Sequence, residues 1–165
     1  MDDVDTGIGS RKVDVVDVGV GAVVSDLGRS KRFYTEVLGF EVVAEFDFDD
    51  ADTARVMGVP EAKFTGVFMK LDGFRMEIIA FTSPPPERAT RRRSSNEIGH
   101  SHLSFYVTDL DATLAELKAQ GVPIDTDTRA TLVNGIECCV VRDPDGFPIE
   151  IVQMPILTLL PYEAE

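Results

Sequence analysis

The sequence predicts an α+β fold: two tandem βαβββ modules forming a concave, half-barrel-like mixed β-sheet with the helices outside. The first observation is an internal repeat, in which DVGVGAVVSDL around Gly19 corresponds to GHSHLSFYVTDL around His102. The second is the recurrence of LDGFRMEII, ending at Ile79, as PDGFPIEIV, ending at Val152. The third is that each copy places one helical stretch after its first strand-like stretch. A repeat of this length sets the architecture because each unit needs a partner to bury its apolar surface.

The first module is predicted over residues 13–81, after a loose tail at 1–12. Alternating apolar residues predict a strand over 13–24, with Gly19 and Gly21 on the face opposite Val20. Ser25 or Asp26 is expected to cap a helix that ends at Gly39. Strands are predicted over 40–48, 64–71 and 74–81. The acidic segment 49–60 is predicted to be a loop that could include one helical turn.

The second module is predicted over residues 100–154, after a Pro/Ser-rich linker at 82–99 that contains four arginines. A strand is expected over 102–107, followed by a helix capped by Asp109 and ended by Gly121. Strands are predicted near 123–128, 136–142 and 147–153. The segment 155–165 is predicted to be a C-terminal tail.

Composition restricts the classes of partner. The net charge is −13, which argues against nucleic acid and against an anionic membrane surface. No apolar run approaches the ~18 residues of a membrane-spanning helix, and the acidic start does not resemble a signal peptide. A cytoplasmic location is therefore expected. The charge would suit a neutral or cationic ligand, although a surface that promotes solubility is the simpler interpretation.

The repeat also indicates a candidate site. It places Glu77 and Glu150 at equivalent positions of the last strand of each module, and it places His102 opposite Gly19. A carboxylate within an apolar strand is costly to bury unless it is paired or binds a cation. If His102 points into the cavity, strand alternation points His100, Ser104 and Tyr106 the same way.

Two interpretations of these residues remain open. In the structural one, Glu77 pairs with Arg75 or a linker arginine, Glu150 bonds to backbone, and His102 is a satisfied core histidine. In the functional one, Glu77, His102 and Glu150 bind a divalent ion and leave positions for water and substrate. One imidazole and two carboxylates suit Mn²⁺, Fe²⁺, Co²⁺, Ni²⁺, Zn²⁺ or Mg²⁺. Glu77 or Glu150 could then also move a proton as a catalytic base.

The segments VVSDLGRSKRFYTEVLGF, RMEII, HLSFYVTDLDATLAEL and DPDGFPIEIVQ resemble the vicinal oxygen chelate superfamily. This group includes glyoxalase I, methylmalonyl-CoA epimerase, extradiol dioxygenases and the fosfomycin- and bleomycin-resistance proteins. The resemblance implies metal ligands at Gly19, Glu77, His102 and Glu150, and it favours a homodimer. Glycine cannot donate, so three ligands and water hold the metal, Asp17 or His100 replaces the fourth ligand, or the metal has been lost. Gly19 and Gly21 also predict a roomy cavity, with Phe68, Phe81 and Tyr106 as aromatic walls.

Three functions follow as expectations, each with a small-molecule substrate or ligand. The first is a metal-dependent isomerase, epimerase or lyase acting next to a carbonyl group. The second is a non-catalytic protein of the bleomycin-resistance type that sequesters a drug or metabolite. The third and weakest is an iron dioxygenase, whose second histidine would have to be His100. Pairing of the two modules within one chain or between two chains is left open.

Overall fold

The computed structural model describes residues 17–87, 95–132 and 135–153. It confirms an α+β fold of two tandem modules with open, four-stranded mixed sheets. The predicted tails at 1–12 and 155–165, and the middle of the predicted linker, lie outside the described residues. The first module contains β1 (Gly19–Val23), α1 (Leu27–Arg32), β2 (Glu41–Phe48), α2 (Ala51–Met57), β3 (Lys63–Leu71) and β4 (Phe74–Ser83). The second contains β5 (Leu103–Val107), α3 (Leu110–Ala119), β6 (Ile124–Thr131), β7 (Glu137–Arg142) and β8 (Pro148–Gln153).

The two sheets have the same strand order. The first runs β1-β4-β3-β2 and the second β5-β8-β7-β6. In each, the first strand pairs in parallel with the last, and the remaining pairs are antiparallel. The last strand therefore lies inside the sheet, beside the first strand of its own module. This arrangement brings Gly21 beside Glu77 and Ser104 beside Glu150.

The helices begin where the sequence indicates. Asp26 caps α1 by accepting a hydrogen bond from the backbone N–H of Arg29, and Asp109 caps α3 in the same way through Ala112. The first helix continues as a π-helical segment over Phe33–Val37 before the chain turns at Gly39, whose φ is +82°. Left-handed backbone of this kind favours glycine at the end of a helix.

The segment after β2 differs from the prediction. The structure has a seven-residue helix, α2, where a loop with one helical turn was predicted. Asp50 caps it through the N–H of Thr53, and Gly58 ends it with a φ of +68°. Ala54 and Met57 pack on a small apolar cluster around Phe64 on the first sheet. These tertiary contacts explain why a short, acidic segment is helical.

One apolar core joins the two modules. It contains residues from the π-helical segment, β3 and β4 of the first module and from α3, β7 and β8 of the second. The ring of Phe40 lies 6.2 Å from that of Phe105, in an edge-to-face contact across the two halves. The other face of each sheet is consequently directed away from this shared core.

No described helix is long and apolar enough to cross a membrane.

A buried hydrogen bond reinforces this core. The hydroxyl of Tyr34, which has no solvent exposure, donates to Asp143 at 3.0 Å. Asp143 also accepts from the backbone N–H groups of Asp145 and Phe147, and so orders the turn before β8. Burial raises the pKa of the Asp143 carboxyl despite these hydrogen bonds. The bond therefore ties the first helix to the strand that carries Glu150.

Tyr34→Phe should destabilise the protein by about 1–2 kcal/mol, because it removes one donor from a buried acceptor. Tyr106→Phe is the matched control, since Tyr106 is 53% exposed and should change stability by less than about 0.5 kcal/mol. Urea denaturation monitored by circular dichroism measures both. Equal stabilities of the two variants would show that the Tyr34 bond contributes nothing net.

Candidate functional site

The open face of the first sheet is aromatic. The rings of Phe48 and Phe64 stack at 4.9 Å, and Phe64 lies 5.1 Å from Phe81. At the other end, Phe46 contacts both Phe48, at 6.3 Å, and Phe68, at 5.9 Å. A continuous row of aromatic rings therefore crosses β2, β3 and β4, and we call it the aromatic row. Within the row, exposure rises from Phe64, which is 5% exposed beneath α2, to Phe46, which is 54% exposed.

Glu77 lies on the same face, directly opposite Phe68 on β3. Its carboxylate leans across Gly66: a Cβ atom at that position would lie 2.6 Å from Glu77 Oε1 and 3.2 Å from a ring carbon of Phe48. Among the described residues, Glu77 has neither a hydrogen bond nor an ion pair. Burial raises the pKa of its carboxyl. An unpaired, half-buried carboxylate with a raised pKa is a candidate proton acceptor.

The structural pairing proposed for Glu77 is absent among the described residues. Arg75, which precedes it on the same face, forms an ion pair with Asp17. Asp17 was a candidate to replace the ligand missing at Gly19, but its carboxylate is already paired with the Arg75 guanidinium. The linker arginines at positions 88 and 91–93 lie outside the described residues.

The glycines of β1 open a cavity beside Glu77. Gly19 and Gly21 line a cavity of about 260 Å³ together with Phe68, Val43 and Glu77. The two glycines are not equivalent. A Cβ on Gly21 would make ordinary contact with Ile79 at 3.6 Å, whereas one on Gly19 would crowd the backbone of Arg75 at 3.3 Å. Phe81 lies at the other end of the aromatic row, packed in the cluster beneath α2.

His102 and Glu150 meet on the second sheet. Glu150 Oε2 is 3.7 Å from His102 Nε2 and accepts a hydrogen bond of 3.1 Å from Ser104. The other ring nitrogen of His102, Nδ1, is 2.8 Å from Ser101 Oγ. The Glu150 side chain is 28% exposed and that of His102 is 44% exposed, so both are open to a ligand. Ser104 and Tyr106 share this open face, while Leu103, Phe105 and Val107 pack on the core.

The predicted ligand set is divided between the two sheets. His102 and Glu150 are close enough to contact one cation, but Glu77 lies on the open face of the other module. No described group of three His, Cys, Asp or Glu side chains could hold a metal ion. His100 lies two residues before His102 and is exposed. Within a single chain, therefore, His102 and Glu150 could bind one metal ion together, whereas the Glu77 carboxylate lies apart from them.

Sequence reasoning missed part of this site. Phe46, Phe48 and Phe64 were not predicted to line it, and neither was Gly66. The signal for Gly66 was available, because an isolated glycine inside a strand often marks the close approach of another group. The aromatic row had no comparable signal, since its members meet only through the pairing of three strands.

A model of the glyoxalase/bleomycin resistance protein/dioxygenase superfamily matches residues 17–151. The chain belongs to this superfamily. The match includes both modules from β1 into β8, so the family assignment covers both halves of the repeat.

Individual relatives are distant. YwkD of Bacillus subtilis is 29% identical over 137 residues, which are 81% of this chain and 93% of YwkD. A lactoylglutathione lyase of Pseudomonas putida is 26% identical, covering 79% of this chain and 80% of the lyase. A 2-epi-5-epi-valiolone epimerase of an Actinomyces species is also 26% identical, covering 82% and 78%.

Among solved structures, a glyoxalase family protein of Bacillus cereus superposes with a TM-score of 0.75. It is 22% identical, and the match covers 88% of this chain and 98% of that protein. At this identity the likeness establishes the fold alone.

Gly66→Ala should displace the Glu77 carboxylate and destabilise the protein by about 1 kcal/mol, because the new methyl group overfills the site. Gly21→Ala, on the same face, should cost less than about 0.5 kcal/mol because its Cβ meets only an ordinary contact. Urea denaturation gives the stabilities, and carboxyl NMR follows the Glu77 titration. Identical behaviour of the two variants would contradict the close approach at Gly66.

Glu77→Gln should raise the melting temperature at neutral pH by ~1–3 °C. The folded-state pKa of Glu77 lies above its unfolded value, so ionisation of this carboxyl favours unfolding. The destabilisation is absent below the ordinary pKa and complete above the raised one, so the gain should shrink as the pH falls. Scanning calorimetry from acid to neutral pH tests this, with Glu116→Gln on the exposed face of α3 as control. A gain that is constant with pH would contradict the raised pKa.

Proposed function

We propose that this protein is a metal-dependent isomerase, epimerase or lyase that acts on a small or medium oxygenated metabolite, next to its carbonyl group. One observation carries the proposal. The repeat holds two carboxylates at equivalent positions on open sheet faces, Glu150 beside a histidine and Glu77 without a partner among the described residues. Partial burial of a carboxylate without a compensating partner is unfavourable for stability, which is typical of a residue retained for function.

His102 and Glu150 are the residues that would hold the ion. The Ser101 and Ser104 hydroxyls contact their side chains and orient them, as outer contacts commonly do around metal ligands. A divalent ion bound there would supply a Lewis acid for the carbonyl oxygen of the substrate. Gly19 offers no side chain to this site, so water or substrate would complete the set of ligands.

Glu77 would move the proton. Its pKa, raised by burial, makes it a better base than an exposed glutamate. The carboxylate takes the proton from the carbon next to the carbonyl group, and the electron pair of that C–H bond shifts toward the carbonyl oxygen. A proton delivered to the opposite face of that carbon gives an epimer. Where that carbon bears a hydroxyl group, transfer of the proton from Glu77 to the former carbonyl carbon, with the hydroxyl proton moving to the former carbonyl oxygen, gives an isomer.

A homodimer brings the parts together in this proposal. Glu77 and the His102–Glu150 pair lie on open faces of different modules, so a second copy could place the pair of one chain opposite the Glu77 of the other. A two-fold axis would then create two identical sites. The lyase and epimerase relatives support this class of chemistry, because both names describe enzymes that act on small molecules.

A metal-free binding protein is the second candidate, and a specific observation favours it. The aromatic row and the cavity beside Gly19 and Gly21 offer an apolar surface that needs no metal ion. In that case Glu77 would pair with a cationic group of the ligand.

Metal content separates the two candidates. Protein purified without chelators or nickel resin should contain about one divalent ion per chain, the stoichiometry of a site with one set of ligands. His102→Ala should lose this ion, whereas His100→Ala, the matched control, should keep it. Full metal content in His102→Ala would rule out His102 as a ligand, and the absence of metal uptake by the wild type would favour the binding protein.

Mixing variants tests the shared site. Glu77→Gln and His102→Ala homodimers should each be inactive in exchange of the proton next to a carbonyl group in deuterated water. Mixed dimers would contain one intact site, so activity should recover to roughly a quarter of wild type after subunit exchange. No recovery, with mixed dimers confirmed by mass spectrometry, would show that the site does not combine residues of two chains in this way.

A further inference from the structure

We propose that the site takes an uncharged or cationic carbonyl compound with a planar apolar group, and that it discriminates against anionic conjugates. This inference rests on the proposed function and names the substrate class of the same site. It follows from the juxtaposition of three features: the exposed part of the aromatic row, the glycine-lined cavity, and the Glu77 carboxylate, which is unpaired within the part of the chain that the structure describes.

The shape of the cavity favours a flat group. Gly19 and Gly21 remove two side chains from the wall formed by β1, and Phe68 stands across from them. Phe46 extends this wall with an edge-to-face contact to Phe68 and is more than half exposed. A planar ligand between the glycines and Phe68 would make one face-on contact and cover apolar surface that is now open to water.

The charges on this face disfavour an anion. Two cations near Glu77, Lys70 and Arg75, are each engaged in an ion pair, Lys70 with Glu41 at 3.2 Å and Arg75 with Asp17. The Glu77 carboxylate has no described partner, so a negative charge is left beside the cavity. The whole chain has a net charge of −13, which adds long-range repulsion of anionic ligands.

The probes are a neutral and an anionic naphthalene dye. Prodan, a neutral naphthyl ketone, fluoresces more strongly in apolar surroundings, as does the anionic anilinonaphthalene sulfonate. Titration of the full chain without added metal should give tighter binding of Prodan than of the sulfonate, by about fivefold or more. Because no metal or turnover is needed, loss of the metal-dependent function would leave this binding result unchanged.

Three variants locate the binding. Phe68→Ala should weaken Prodan binding by about five- to tenfold, the effect of removing one aromatic contact. Phe74→Ala is the matched control, since Phe74 lies on the opposite face of β4 and is 39% exposed. Glu77→Gln, which keeps the shape of the side chain, should strengthen sulfonate binding by about fivefold and leave Prodan binding within twofold.

Three outcomes would overturn the proposal. The first is equal or tighter binding of the sulfonate. The second is equal effects of Phe68→Ala and Phe74→Ala. The third is binding of neither dye, with Phe46→Ala dissociating an oligomer in sedimentation experiments. That result would show that a second copy covers the aromatic row, and that the row is a subunit interface.

Discussion

Each half of this chain has one sheet and only enough helix to cover one face of it. The helix-covered faces of the two sheets are buried in one shared core, an apolar cluster that contains residues from both modules. The second face of each sheet is left without a layer of its own, apart from the short α2 over one end of the first. Every functional feature of the molecule depends on this constraint, because the candidate site residues lie on the open faces.

The constraint also explains how polar chemistry coexists with apolar strands. Alternation along β4 sends Met76 and Ile78 into the core and Glu77 to the open face. The same alternation on β8 buries Ile149 and Ile151 and leaves Glu150 beside Ser104. A carboxylate therefore sits in the middle of an apolar strand without entering the core, and a ligand on the open face can reach it.

Much of this could be predicted from the sequence, because strand alternation and a repeat are local patterns. They predicted the two modules, a helix cap at Ser25 or Asp26 and another at Asp109, and the shared face of His102, Ser104 and Tyr106. They could not predict which residues become neighbours across strands. Phe46, Phe48 and Phe64 meet through the register of β2 on β3, which includes an irregularity between Val42 and Ala44. The separation of Glu77 from His102 could not be predicted from the sequence either, because it depends on how the two sheets pack against each other.

The hydrogen bond from Tyr34 to Asp143 makes the two halves of the repeat depend on each other. Because Tyr34 of the first half donates to Asp143 of the second, separating the two halves would leave a hydroxyl and a carboxylate without their partners. These two groups are now buried together. The two halves differ, one with a histidine and one with glycines, and this buried hydrogen bond joins them within a single chain.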